Sequence, residues 1–106
     1  MSSAMKLPRL SSDGYPRRKD HVVWKVLGNK GVLLSLESGE YFEVNPIGLT
    51  IWQRCNGKET LLEIARLVAK RFRAAPGRVA SDLKDFLVGL ERQKLVEIAQ
   101  RPTLHR

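Results

Sequence analysis

Residues 21–46 read HVVWKVLGNKGVLLSLESGEYFEVNP, and this stretch decides the fold. Val22, Trp24 and Val26 alternate with Val23, Lys25 and Leu27. That is a period of two with β-branched content, which predicts a strand over 21–27. Gly28-Asn29-Lys30-Gly31 supplies a hairpin turn. A second strand is expected over 32–37, with Val32, Leu34 and Leu36 sharing a face. Ser38-Gly39 turns the chain again, and Glu40–Val44 forms a third short strand with Phe42 and Val44 on one face. The turns are too short for any crossover, so the three strands form an antiparallel meander.

Downstream the period changes. Asn45 is a strong N-cap and Pro46 suits the first helical position, where its missing N–H costs nothing. A first helix is expected over 46–55, carrying Ile47, Ile51, Trp52 and Cys55, with Gly57 as its stop. Thr60-Leu61-Leu62-Glu63 has capping-box spacing and opens a second helix. Its apolar face is Leu61, Ile64, Ala65, Val68 and Phe72. Its other side is basic, with Arg66, Lys70, Arg71 and Arg73. Ala75-Pro76-Gly77 breaks the chain. A third helix over 78–93 places Val79, Leu83, Phe86, Leu87 and Leu90 on one stripe. Residues 95–98 read as a last short strand. The expected fold is therefore α+β and winged-helix-like: a three-stranded antiparallel β-meander followed by three α-helices.

Upstream, residues 1–20 are rich in Ser, Pro and basic residues and lack periodicity. They predict a flexible basic N-terminal arm. The domain proper is expected over 21–98 and a tail over 99–106. The net charge is +8 and unevenly spread. The first thirty residues hold seven Lys or Arg against two acids, the middle thirty hold two against four, and the rest hold ten against five. Such an excess attracts nucleic acid or an acidic peptide, or is simply a solvated surface.

Catalytic chemistry is hard to assemble from these residues. Gly28–Gly31 is too short for a phosphate loop and does not precede a helix. The single cysteine, Cys55, has only His21 and His105 as histidine partners in the sequence, a poor nucleophile–base set. No Cys/His spacing fits zinc. Glu37, Glu40 and Glu43 read as a solvated turn rather than as paired catalytic acids. No enzyme activity, cofactor or metal is expected. No apolar run approaches the ~20 residues that span a bilayer, so a cytoplasmic protein without membrane contact is expected. Binding chemistry is better supported. In a meander followed by helices an outer strand can lack a partner, and its free N–H and C=O groups are a template for another chain. Glu40, Tyr41, Phe42, Glu43 and Val44 form that candidate edge.

The stretch from Val32 to Ile98 resembles the PqqD family, also called RiPP recognition elements. The matching residues are Gly39–Asn45, Ile51-Trp52, Asn56–Thr60, Glu63-Ile64, Leu90 and Lys94–Val96. Their order and spacing carry the resemblance more than any one of them, and Val44 departs from the Leu commoner in the family. The resemblance implies non-catalytic binding of the leader segment of a ribosomally made precursor peptide. The leader would lie as a strand beside the third strand of the meander, in a groove against the third helix. It would then be offered to a maturation enzyme such as a radical SAM protein, a peptidase or a cyclase in natural-product biosynthesis. The spacing of Lys84, Leu87, Val88 and Glu91 suggests them for the helix flank of that groove, with Leu83, Phe86 and Leu90 left to the core. The rival readings are a winged-helix DNA-binding protein and an oligomerising adaptor, for instance a homodimer using the free edge. Asp82, Asp85 and Glu91 on the third helix speak against DNA.

Overall fold

The computed structural model describes residues 14–103. The order is β1 (Tyr15–Arg18), β2 (Val22–Leu27), β3 (Lys30–Ser35), β4 (Tyr41–Val44), α1 (Pro46–Arg54), α2 (Leu61–Phe72), α3 (Pro76–Arg92) and β5 (Val96–Ala99). The strands β2, β3 and β4 form an antiparallel sheet in that order, and β1 and β5 form a separate antiparallel pair. The expected meander and three helices are both present.

Local chemistry explains each boundary. Leu27 pairs with Lys30, so the first hairpin closes through Gly28 and Asn29 alone and β3 starts two residues earlier than expected. Gly28 stands first in that two-residue loop with φ +67°, the arrangement of a type II′ turn. At α1 the Gly48 amide donates to Asn45 Oδ1 at 2.7 Å, and Pro46 follows the cap. At α2 the capping box is complete. The Glu63 amide donates to Thr60 Oγ1 (3.1 Å) and the Thr60 amide donates to Glu63 Oε1 (2.8 Å). The third helix begins at Pro76 rather than 78, because Pro at the first turn initiates a helix as readily as it ends one.

The core lies between the β2–β4 sheet and the helices. Leu33, Trp52, Leu61, Ile64, Leu83, Leu87 and Leu95 are among its largest fully buried side chains. On β3 the inward set is Gly31, Leu33 and Ser35, while Val32 and Leu34 face outward and Leu36 is exposed. Gly31 is needed for close packing. A Cβ there would stand 2.8 Å from Leu49 Cδ1 and 2.9 Å from Val44 Cγ2.

The flexible arm expected over 1–20 is corrected for its last part. Residues 1–13 lie outside the described residues, as do 104–106 of the expected tail. Tyr15–Arg18, however, is a strand, registered Arg17 against Glu97 and Pro16 against Ile98. Pro16 and the adjacent cations hide the strand from a pattern reading, yet Pro is tolerated at a sheet edge. The strand is held from both sides. The Gly57 amide donates to the Pro16 carbonyl (2.8 Å) and the Arg18 amide to the Cys55 carbonyl (2.9 Å). The Arg18 guanidinium donates to the Trp52 and Gln53 carbonyls at 3.0 and 2.9 Å, closing the C-terminal end of α1. It also sits 5.6 Å from the Trp24 ring centroid and 5.9 Å from that of Trp52. Ala99, placed in the tail by sequence, completes β5.

Candidate peptide-binding edge and groove

The register of the sheet determines which main-chain groups of β4 are free. The Ser35 amide donates to the Glu40 carbonyl at 3.0 Å, and β3 pairs with β4 as Leu34 with Tyr41, Leu33 with Phe42, Val32 with Glu43 and Gly31 with Val44. In an antiparallel ladder, hydrogen-bonded and non-hydrogen-bonded pairs alternate. Phe42 and Val44 therefore bond inward to β3. The N–H and C=O of Tyr41 and Glu43 point away from it. The other side of β3 agrees with this assignment. The Leu36 amide donates to the His21 carbonyl at 2.8 Å, so the even-numbered residues of β3 serve β2 and the odd-numbered ones serve β4. Among the described residues no strand lies beyond β4.

The five edge residues named from sequence thus divide. Tyr41 and Glu43 offer two donors and two acceptors outward. Tyr41 is also 72% exposed. Phe42 and Val44 turn their side chains to the core side and spend their main chain on β3. Glu40 lies before β4: its carbonyl accepts from Ser35 and its amide donates to Ser38 Oγ at 3.2 Å, so its main chain is engaged.

Beside residues 43–44 of β4 opens a groove of about 390 Å³. Its floor and walls are mainly apolar: Ile47, Gly48 and Ile51 from α1, Val68 and Phe72 from α2, and Val79 and Phe86 from α3. Two carboxylates stand at its rim. Glu43 lies 3.4 Å from Lys30 Nζ, and Asp82 lies 3.6 Å from Arg78 Nε. The groove is held open by small size at one point. A Cβ on Gly48 would stand 3.2 Å from both Phe86 Cζ and Val44 Cβ.

The helix flank named from sequence is not the one that lines this groove. Leu87 is 0% exposed and belongs to the core, so it offers nothing to a partner. Lys84, Val88 and Glu91 are not among the lining residues; Lys84 is exposed, and Val88 and Glu91 are half-buried. The residues of α3 that face the groove are Val79, Asp82 and Phe86, the last of which the sequence reading left to the core. One helix stripe serves two ends: Leu83, Leu87 and Leu90 pack inward, while half-buried Phe86 forms the groove wall. The usable signal is the stripe's width: four of its five apolar residues lie in the core, and Phe86, with Val79 beside it, is left to reach the groove.

The remaining polar chemistry is structural. Burial pushes the Cys55 thiol up to about 12, and its Sγ donates to the Ile51 carbonyl at 3.2 Å. A thiol held neutral is no nucleophile at ordinary pH. Glu97 accepts hydrogen bonds from the Arg17 guanidinium and lies 3.8 Å from Lys19 Nζ. These partners, the Arg17 hydrogen bond foremost, hold its carboxyl below the ordinary value of 4.5.

A meander backed by three helices, with one sheet edge open beside an apolar groove, defines a winged-helix-like recognition fold. Residues 30–96 match the family described as Coenzyme PQQ synthesis protein D (PqqD), and the chain belongs to that family. Comparison with curated proteins gives no match. Solved structures that share the fold include the following three. TbiB1 in complex with the TbiA(beta) leader peptide is 30% identical, with a TM-score of 0.71 over 76% of this chain and 94% of that one. The PqqD truncation of Methylobacterium extorquens PqqCD is 26% identical, with a TM-score of 0.67 over 81% of this chain and 90% of that one. It is described as a functional, stand-alone RiPP recognition element. A lasso peptide synthetase B1 complexed with the leader peptide, 18% identical, has a TM-score of 0.70 over 77% of this chain and 96% of that one, and supports the fold alone.

Proposed function

We propose that this chain binds the leader segment of a ribosomally made precursor peptide as an added strand on β4 and hands it to a modifying enzyme, catalysing no step itself. It would act in the cytoplasm, where such precursors are made. The observation that carries the reading is the outward pair of amides and carbonyls on Tyr41 and Glu43, set beside an apolar groove. Main-chain hydrogen bonds to those two residues would fix the guest strand. Ile47, Phe72 and Phe86 would take one of its apolar side chains, which gives selectivity that hydrogen bonds alone lack. The two relatives above 25% identity support it, one seen with a leader peptide and one described as a recognition element.

The test is Glu43→Pro. Proline removes an amide that the ladder does not use, so the fold is expected to survive. One lost hydrogen bond and the bulk of the ring on the docking edge are together expected to weaken binding by about tenfold or more. The measurement is calorimetry with the leader of the precursor encoded beside the gene. Equal affinity of the wild-type chain and the proline variant would rule out strand addition at this edge.

A further inference from the structure

The side of α2 that carries its basic residues faces solvent. Arg66, Lys70 and Arg71 are exposed on α2, and Arg73 is exposed at its left-handed C-cap (φ 54°). Among the described residues none of these four has an ion-pair partner. Their helix dipole favours cations near the C-terminus, but it does not require four of them without an acid. Their position is informative. Phe72 and Ala74 line the groove beside β4, and Arg71 and Arg73 flank Phe72 in sequence. The Arg71 guanidinium lies 5.8 Å from the Phe72 ring centroid, so its charge stands at the groove's wall. The two rim carboxylates, Glu43 and Asp82, are each matched by a cation of their own, Lys30 and Arg78. The groove therefore ends in excess positive charge on its α2 side.

We propose that the peptide held in this groove carries an acidic residue next to its apolar anchor, read by Arg71 and Arg73 at the α2 end. The inference rests on the peptide-binding reading above and adds the chemistry of the guest. An acidic peptide fits better than a nucleic-acid backbone, because the cations continue an apolar groove whose rim also bears carboxylates that repel phosphate.

The experiment selects binders from a displayed random-peptide library on the full chain, in parallel with the double variant Arg71→Glu/Arg73→Glu and the neutral Arg71→Gln/Arg73→Gln. All these side chains are exposed, and circular dichroism checks that each variant is folded. The wild-type chain is expected to enrich peptides with Asp or Glu close to a large apolar residue. The Glu variant is expected to enrich Lys or Arg at that place instead. A wild-type-selected peptide should lose about tenfold in affinity for the Glu variant, as two exposed ion pairs allow, and less than that in high salt. Enrichment of apolar residues without acidic ones, or identical peptides on all three proteins, would overturn the inference and leave the groove reading standing. Random-sequence duplex DNA bound by wild type but not by the Glu variant, with peptide selection unchanged, would overturn it in favour of nucleic acid. Failure of the wild-type chain to enrich any peptide would overturn both readings together.

Discussion

Arg17 and Glu97 stand directly opposite each other across the β1–β5 pair, and this one contact has a definite pH signature. The Glu97 carboxyl is held below its ordinary value, so the folded state favours its charged form. A depressed acid contributes stability that is fully present above the unfolded value and is lost as pH falls through the folded one. Both side chains are part-exposed, which limits the contribution to about 0.5–1 kcal/mol. Glu97→Gln is therefore expected to lower stability by about that amount near neutral pH. The deficit should vanish in acid, below the range where the wild-type carboxylate is charged. Urea denaturation of both proteins at the two pH values measures it, and an equal deficit at both would show that the pairing is not electrostatic. Cys55 is the opposite case. It is a titratable group buried in the core, where desolvation outweighs the nearby Arg18 charge and keeps the thiol neutral.

At the scale of elements, β4 is a strand whose two sides do different things, and proline separates them. Phe42→Pro removes an amide that bonds to β3 and leaves a buried carbonyl without its donor, so a loss of about 1–3 kcal/mol is expected. Glu43→Pro leaves the hydrogen bonds to β3 in place and gives up only the exposed Lys30 ion pair, so it should cost less than about 1 kcal/mol. Thermal denaturation of the two variants checks this. Equal losses would mean that the register of β3 against β4 is not the one described. The elements differ in how far sequence discloses them. The caps Asn45 and Thr60, with Pro46 and Glu63, announce the starts of α1 and α2 because capping is local chemistry. The meander is legible because its β-branched runs are punctuated by turn glycines, although burial alternates on β3 and β4 and not on β2. The pair β1–β5 is not, since Tyr15–Arg18 gains its order from Cys55, Gly57 and Glu97, residues far away in the chain. The groove was half legible for the same reason. The open edge follows from strand order, but which face of α3 meets β4 depends on the roll of that helix on α2. Periodicity gave a stripe and not a rotation, so it named Leu87, which is buried, and left out Phe86 and Val79.

At the scale of the molecule, two small sheets clasp the helices at different places. The β2–β4 sheet covers one side and presents the open edge. The β1–β5 pair ties residues 14–18 to the segment after α1 and to the last strand. At Gly57 this junction is tight: φ is +79°, and a Cβ would stand 3.1 Å from Arg17 Cδ. Shortening the chain to start at residue 19 would remove Pro16 from its fully buried site and the Arg18 cap from α1. A loss of roughly 3–5 kcal/mol is expected, lowering Tm by more than about 10 °C. Calorimetry of the shortened and full chains tests whether β1 belongs to the domain; an unchanged Tm would return it to the arm. The central claim, however, concerns the free side of β4. Amide hydrogen exchange, followed by NMR residue by residue with and without a bound leader peptide, tests it most directly. Phe42 and Val44 should exchange slowly in both states, because β3 already holds their amides. Tyr41 and Glu43 should exchange fast in the free chain and become slow in the complex. If peptide binds while those two amides keep their fast exchange, the guest lies elsewhere and the account is wrong.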